Sequence, residues 1–229
     1  MEQQPQRSDF MDLARVGARK LLAECVDLKP GDVLALFWDE TTTDTAQVLL
    51  EAAKELNLDI RPRQVSLKEQ SDFSPDKGLS LEDRETLSNA RGIITCLSNQ
   101  VPGTAYRAQL LRVGTDGDKR FGHMPGGNLS LLAHAVNIDY KQATSRCDDL
   151  ALALTLGQVV RLRSYILDEI AEPVQEFDLE FKIGRLLRSP ITSTGIIPLG
   201  TWGNLPGGET FIAPVENTAN GVFVLNGAF

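Results

Sequence analysis

The hydrophobic period of this chain changes at Gly157, and that change limits the fold more than any other feature. Before it, short apolar runs bounded by turns alternate with helical faces. Val33–Phe37 and Ile93–Leu97 read as buried strands, and Asp59–Val65 as a weaker one that Pro62 assigns to a sheet edge. Phe10, Leu13, Ala14, Gly17, Leu21 and Cys25 mark one helical face over Asp9–Val26. Asp44 caps a second helix, whose face is Ala46, Leu49, Leu50, Ala53 and Leu56. Further helices are expected over Thr104–Val113, Leu129–Val136 and Asp139–Leu156, with Ser80-Leu81-Glu82-Asp83 as a capping box. Ser66–Gly78 and Lys119–Gly127 read as loops. Strands alternating with helices imply a mainly parallel sheet covered on both faces.

After Gly157 the period is two. Val160, Leu162, Ser164 and Ile166 alternate with Val159, Arg161, Arg163 and Tyr165, and Phe177, Leu179, Phe181 and Ile183 alternate with acids and Lys182. Two such neighbours predict antiparallel strands with one buried face, and pairing sets the arginines beside the acids. Thr210–Ala213 and Val222–Leu225 read as further strands. The expected architecture is therefore α/β: a three-layer domain over 1–157, then the opening part of a β-rich antiparallel domain over 158–229. The last nine residues, Gly221 to Phe229, are almost wholly apolar. An apolar terminal strand calls for a cover: a continuation of the chain, a second chain, or a symmetry mate in a homodimer.

Charge narrows the partners. Lys and Arg number 23 against 31 Asp and Glu, a net charge of −8. That balance argues against nucleic acid, which requires a basic face. No apolar run approaches the ~18 residues of a membrane span, and Met1–Ser8 has no signal-peptide core. Cys25, Cys96 and Cys147 are odd in number and widely spaced, as reduced thiols of a cytoplasmic protein are. No phosphate-loop fingerprint is present, so no nucleotide is expected.

One stretch concentrates chemistry. Trp202-Gly203-Asn204-Leu205-Pro206-Gly207-Gly208 delivers Glu209 to the head of a short apolar run that Pro214 ends. A carboxylate at a tight turn suits a metal ligand or a general base. It equally suits a turn acid that caps a backbone group or pairs with an arginine. His134 lies in an apolar helix and reads as a core or interface histidine. His123 and Arg120 share a glycine-rich loop, where Arg120 with Lys119 can hold an anionic group or equally form a solvated surface pair. Glu216 lies seven residues beyond Glu209, past the break at Pro214.

Asn204-Leu205-Pro206-Gly207-Gly208-Glu209, with Thr210-Phe211-Ile212-Ala213-Pro214-Val215-Glu216 and Asn220-Gly221, resembles the signature of the M29 metallo-aminopeptidases. The resemblance implies removal of N-terminal residues from peptides, or action on amino-acid-like small substrates. It implies a two-metal centre of zinc, cobalt or manganese with Glu209 as one ligand. From their own positions rather than the resemblance, Glu216, Arg120 and His123 are candidate supporting or substrate-contacting groups, with a structural role the better reading of Glu216. The family's other ligands, a second Glu, two His and an Asp, lie downstream of this motif. With Phe229 as the last residue, the chain is expected to hold only the first of them. Two alternatives accompany this reading. Ring-cleaving dioxygenases with a mononuclear iron resemble the same scaffold, and a shortened relative can serve as a non-catalytic binding or assembly subunit.

Overall fold

The computed structural model describes residues 7–100, 103–115, 117–168 and 172–225, which form two compact units. The first comprises residues 1–143 and 193–208, the second 144–192 and 209–229.

In the first unit, β1 (Val33–Trp38), β2 (Asp59–Gln64), β3 (Gly92–Cys96), β4 (Arg120–His123) and β8 (Thr201–Asn204) form one wholly parallel sheet in the order β2-β1-β3-β4-β8. Pro62 sits in the edge strand β2, where a missing amide leaves no ladder partner unmet. Alternation along β1 feeds two cores. Leu34 and Leu36 join Ile94 and Cys96 under α1 (Arg7–Lys20) and α2 (Thr43–Glu55). Ala35 and Phe37 join Ile93 and Leu97 on the other face, under α4 (Leu81–Leu87) and α5 (Thr104–Gly114). This is the three-layer arrangement expected of a parallel sheet. A π-helical turn, Leu21–Cys25, continues α1, and another, Leu131–Ala135, replaces the regular helix expected there. Gly17 lets α1 approach the second turn: a Cβ there would lie 1.8 Å from the Leu132 carbonyl oxygen.

Two strands of this sheet differ from the expectation. Lys119–Gly127 contains β4, and the glycine-rich segment around Gly203 is β8, paired in parallel through Phe121↔Trp202 and Gly122↔Gly203. Each strand has four residues and a central glycine, too short and too weakly apolar to show a period. Ser66–Gly78, expected as a loop, holds the short helix α3 (Leu67–Ser71) with a full capping box.

The second unit takes the greater part of α6 (Tyr140–Leu156) and the hairpin of β5 (Val159–Leu167) with β6 (Pro173–Lys182). It also holds β9 (Glu209–Phe211), which pairs with β7 (Ile191–Ser193), and β10 (Asn220–Gly221). The predicted cross-strand pairing is present. Arg161 lies opposite Glu180 and binds it at 2.8 Å, and Arg163 lies opposite Asp178 and binds it at 3.0 Å. The expected buried face is only half-formed: Phe177, Leu179 and Phe181 are half-buried, while Leu162 and Ile166 remain exposed. The strand expected over Val222–Leu225 is displaced to Asn220–Gly221. Beyond it the Val224 amide donates to Ser164 Oγ at 3.0 Å, so a side chain takes the place of a ladder partner. Residues 226–229, including Phe229, lie outside the described residues.

The two compact units divide elsewhere than at Gly157. The period change there marks the end of α6, not the edge of a unit, since α6 beyond Ala143 belongs with the hairpin. The chain returns to the first unit over 193–208 because β8 completes the sheet on β4. The glycine-rich motif is thus divided, with Asn204–Gly208 in one unit and Glu209 opening the other.

Candidate functional site

The turn before Glu209 is built by backbone constraints. The Leu205–Pro206 bond is cis, and Leu205 is buried with its amide on the His123 carbonyl at 2.8 Å. A Cβ on Gly207 would lie 2.3 Å from the Gly195 nitrogen. Gly208 has φ +111°, a conformation L side chains rarely adopt, and its amide donates to the Ser193 carbonyl at 2.6 Å. Glu209 follows as an exposed residue. Its backbone carbonyl faces Cys147 Sγ at 3.8 Å, and the next residue, Thr210, donates through Oγ1 to the Cys147 carbonyl at 3.1 Å. The Glu209 carboxylate caps no backbone amide and pairs with no arginine among the described residues. Both ordinary roles for a turn acid are therefore unfilled.

The other proposed site residues are engaged elsewhere. Glu216 binds Arg188 at 2.6 Å within the second unit, and that hydrogen bond holds its carboxyl below the usual range. Arg120 is a brace of the first unit: Nε donates to the Ile197 carbonyl at 2.9 Å, and Nη2 meets Asp27 at 3.1 Å. It is not an uncommitted anion-binding group. His123 ends β4, with Nδ1 2.7 Å from Thr95 Oγ1. Burial, reinforced by the nearby positive charge of Arg107, lowers its pKa to about 4, so the ring is neutral near pH 7. His134 is exposed rather than in the core, with its ring 5.9 Å from that of Phe10.

The parallel sheet has its own natural ligand position. The strand order reverses between β1 and β3, and open α/β sheets bind ligands beyond the carboxyl ends of strands at such a point. The strand ends that meet there carry Trp38-Asp39-Glu40 and Ser98-Asn99-Gln100, as the sequence of a parallel sheet leads one to expect. Asp39 is fully buried. It accepts from the Ser98 amide at 2.5 Å, Thr41 Oγ1 at 2.6 Å, the Thr41 amide at 3.0 Å and Gln70 Nε2 at 3.0 Å. Burial alone raises a carboxyl pKa, but these bonds outweigh it and hold Asp39 below the usual range. Thr42 Oγ1 also donates to the Cys96 carbonyl. Arg107 closes the outer side, with Nη1 on the Ser98 and Gln100 carbonyls at 2.6 and 3.0 Å. Asp39 and Ser98 thus tie shut the ends of the two strands. Gln70 Oε1 is buried without a hydrogen-bond partner.

A catalytic metal requires several protein donors in a fixed set. Among the described residues, no group of three or more His, Cys, Asp or Glu side chains is arranged to hold one. Glu209 alone does not make a metal site. Cys25, Cys96 and Cys147 are free and buried, and burial pushes the Cys25 thiol up to about 12, far from a nucleophile's range. No described helix is long and apolar enough to cross a membrane.

No family model matches this sequence, and no curated protein matches it either. The structure is similar to wild-type AmpT from Thermus thermophilus, with a TM-score of 0.52 and 14% identity. The likeness covers 93% of this chain and 64% of that one, so this chain spans about two thirds of the AmpT length. At this identity the likeness establishes a shared fold.

Proposed function

We propose that this chain belongs to the working machinery of an M29-type aminopeptidase, with Glu209 as the carboxylate it contributes to a divalent-metal centre. The observation that carries the reading is the Glu209 turn. A Gly-Gly bend with φ +111° at Gly208 presents an exposed carboxylate that no cap or arginine occupies, in a fold similar to that of an aminopeptidase. The substrate class is a peptide with a free N-terminus or an amino-acid-like amide. The remaining metal donors have to come from outside the described residues, since these do not form a ligand set. His123 and the Asp39 network serve the scaffold in this reading.

The test is metal-dependent release of p-nitroaniline from leucine p-nitroanilide, with zinc, cobalt or manganese added to the purified chain. Glu209→Ala should abolish metal-stimulated turnover and weaken metal binding by about tenfold to a hundredfold, while far-UV circular dichroism stays unchanged. Equal metal affinity in the wild type and in Glu209→Ala would overturn the assignment.

A second reading has its own support. Unit two leaves Leu162, Leu167, Val174, Ile191, Phe211 and Val222 exposed, and exposed apolar side chains gathered into one patch mark an interaction surface. A non-catalytic binding or assembly subunit, covered by another copy or by a second chain, accounts for that surface. Sedimentation of the wild type beside Leu162→Glu distinguishes the two states: a dimer that the variant dissociates supports assembly, and a monomer in both removes it. The mononuclear-iron alternative asks for the same missing donors, and no observation favours it.

A further inference from the structure

We propose that a cleft at the carboxyl end of β2 is a second binding site, built for a small aromatic carboxylate. The cleft has a volume of about 490 Å³, within the range of pockets that hold small organic ligands. Its lining comes entirely from residues 63–106, so it is independent of Glu209.

A rigid polar brace forms the inner end. Arg63, Asp83 and Tyr106 are all buried. Arg63 Nε and the Tyr106 hydroxyl both donate to Asp83 Oδ1, at 3.1 and 3.0 Å. Asp83 Oδ2 accepts from the Ser80 amide at 3.2 Å, and Arg63 Nη2 donates to Glu69 Oε1 at 2.9 Å. The acids of the cleft are therefore already committed: Asp83 and Glu69 to this brace, and Asp72 to Lys68.

What remains uncommitted is positive or donating. A guanidinium has five N–H donors. Arg63 engages Asp83, Glu69 and the Gln64 carbonyl, and its Nε also lies 3.5 Å from Glu82, so its charge is fully met by carboxylates. Lys77 lines the same cleft, is exposed, and has no ion-pair partner among the described residues. An occupant must therefore supply acceptor atoms with negative charge. One uncommitted lysine matches one charge, and the fixed carboxylates of Glu69 and Asp72 at the same cleft oppose a dianion such as phosphate.

The rest of the lining selects the body of the ligand. The half-buried Phe73 ring is the apolar face of the cleft, backed by the buried Val65, Leu79 and Tyr106. Phe73 and Tyr106 meet edge to face, with centroids 5.4 Å apart and an interplanar angle of 75°. That contact fixes the Phe73 ring, whose exposed part a flat ring can pack against. A planar ring with one carboxylate satisfies both ends of the cleft.

The probe is 2-naphthoate, titrated into the full chain and followed by NMR, with neutral 2-naphthamide as the control. Saturable binding with Kd on the order of 1 mM or tighter is expected from a ligand of this size. Lys77→Ala, a change at an exposed loop residue, should weaken naphthoate about threefold to fivefold and leave naphthamide unaffected. Phe73→Leu, which keeps the apolar volume, should weaken both ligands. Failure of naphthoate to saturate, or equal affinity for naphthamide, overturns the proposal. Indifference to both variants also overturns it, because the ligand would then be bound elsewhere.

Discussion

Asp39, at the end of β1, accepts a 2.5 Å hydrogen bond from the backbone amide of Ser98, at the end of β3. This contact joins two strands of the parallel sheet just where the strand order reverses, and it turns the usual ligand crevice into a structural joint. Around it Gln70, Thr41 and Arg107 complete a network in which every Asp39 oxygen is engaged.

Removing Asp39 should therefore cost stability rather than activity alone. Asp39→Ala leaves the Ser98 amide buried without its acceptor and Gln70 Nε2 with only the Val65 carbonyl, at a cost of about 2–4 kcal/mol. The sign of its pH dependence follows from a depressed carboxyl. Its contribution is fully present above the unfolded-state pKa of about 3.9 and is lost as pH falls through the lower folded value. Urea unfolding at pH 7 and at pH 3 should show a smaller difference between wild type and Asp39→Asn at the lower pH.

His123 should act at higher pH. Its folded pKa is lowered from 6.5 to about 4, so below 6.5 the unfolded chain takes up a proton that the folded chain refuses. Stability is unaffected by this group above pH 6.5 and falls between there and about pH 4, by on the order of 2–3 kcal/mol. An NMR titration of the His123 ring gives the pKa directly, and His123→Gln should flatten stability over that window. A ring titrating near 6.5 would contradict the burial that the structure assigns to it.

Gly17→Ala sets two effects against each other. Alanine favours a helix interior by about 1 kcal/mol over glycine. The added Cβ would lie 1.8 Å from the backbone oxygen of Leu132, which no side-chain rotation relieves. Overpacking of this kind costs about 1–3 kcal/mol or more, so the variant should unfold at lower urea than the wild type. An unchanged or higher midpoint would mean that α1 and the Leu131–Ala135 turn separate freely.

What the residues settled on their own was local. The alternation of short apolar runs with helical faces specified an α/β first part, Pro62 marked an edge strand, and the Arg161–Glu180 and Arg163–Asp178 pairs followed from period two. These are properties of neighbours in sequence, where side-chain spacing alone fixes which face is apolar. The Gly-Gly turn and its exposed Glu209 were legible for the same reason. Tertiary packing decided the rest. β8 joins β4 from some 80 residues away, and a four-residue strand with a central glycine acquires its identity only from the partner it pairs with. Arg120 and Glu216 were assigned by partners distant in sequence, Ile197 and Arg188, which only the folded chain brings within reach. Asp39 and Ser98 lie 59 positions apart. Their meeting depends on two parallel strands lying side by side, a relation that no local pattern encodes.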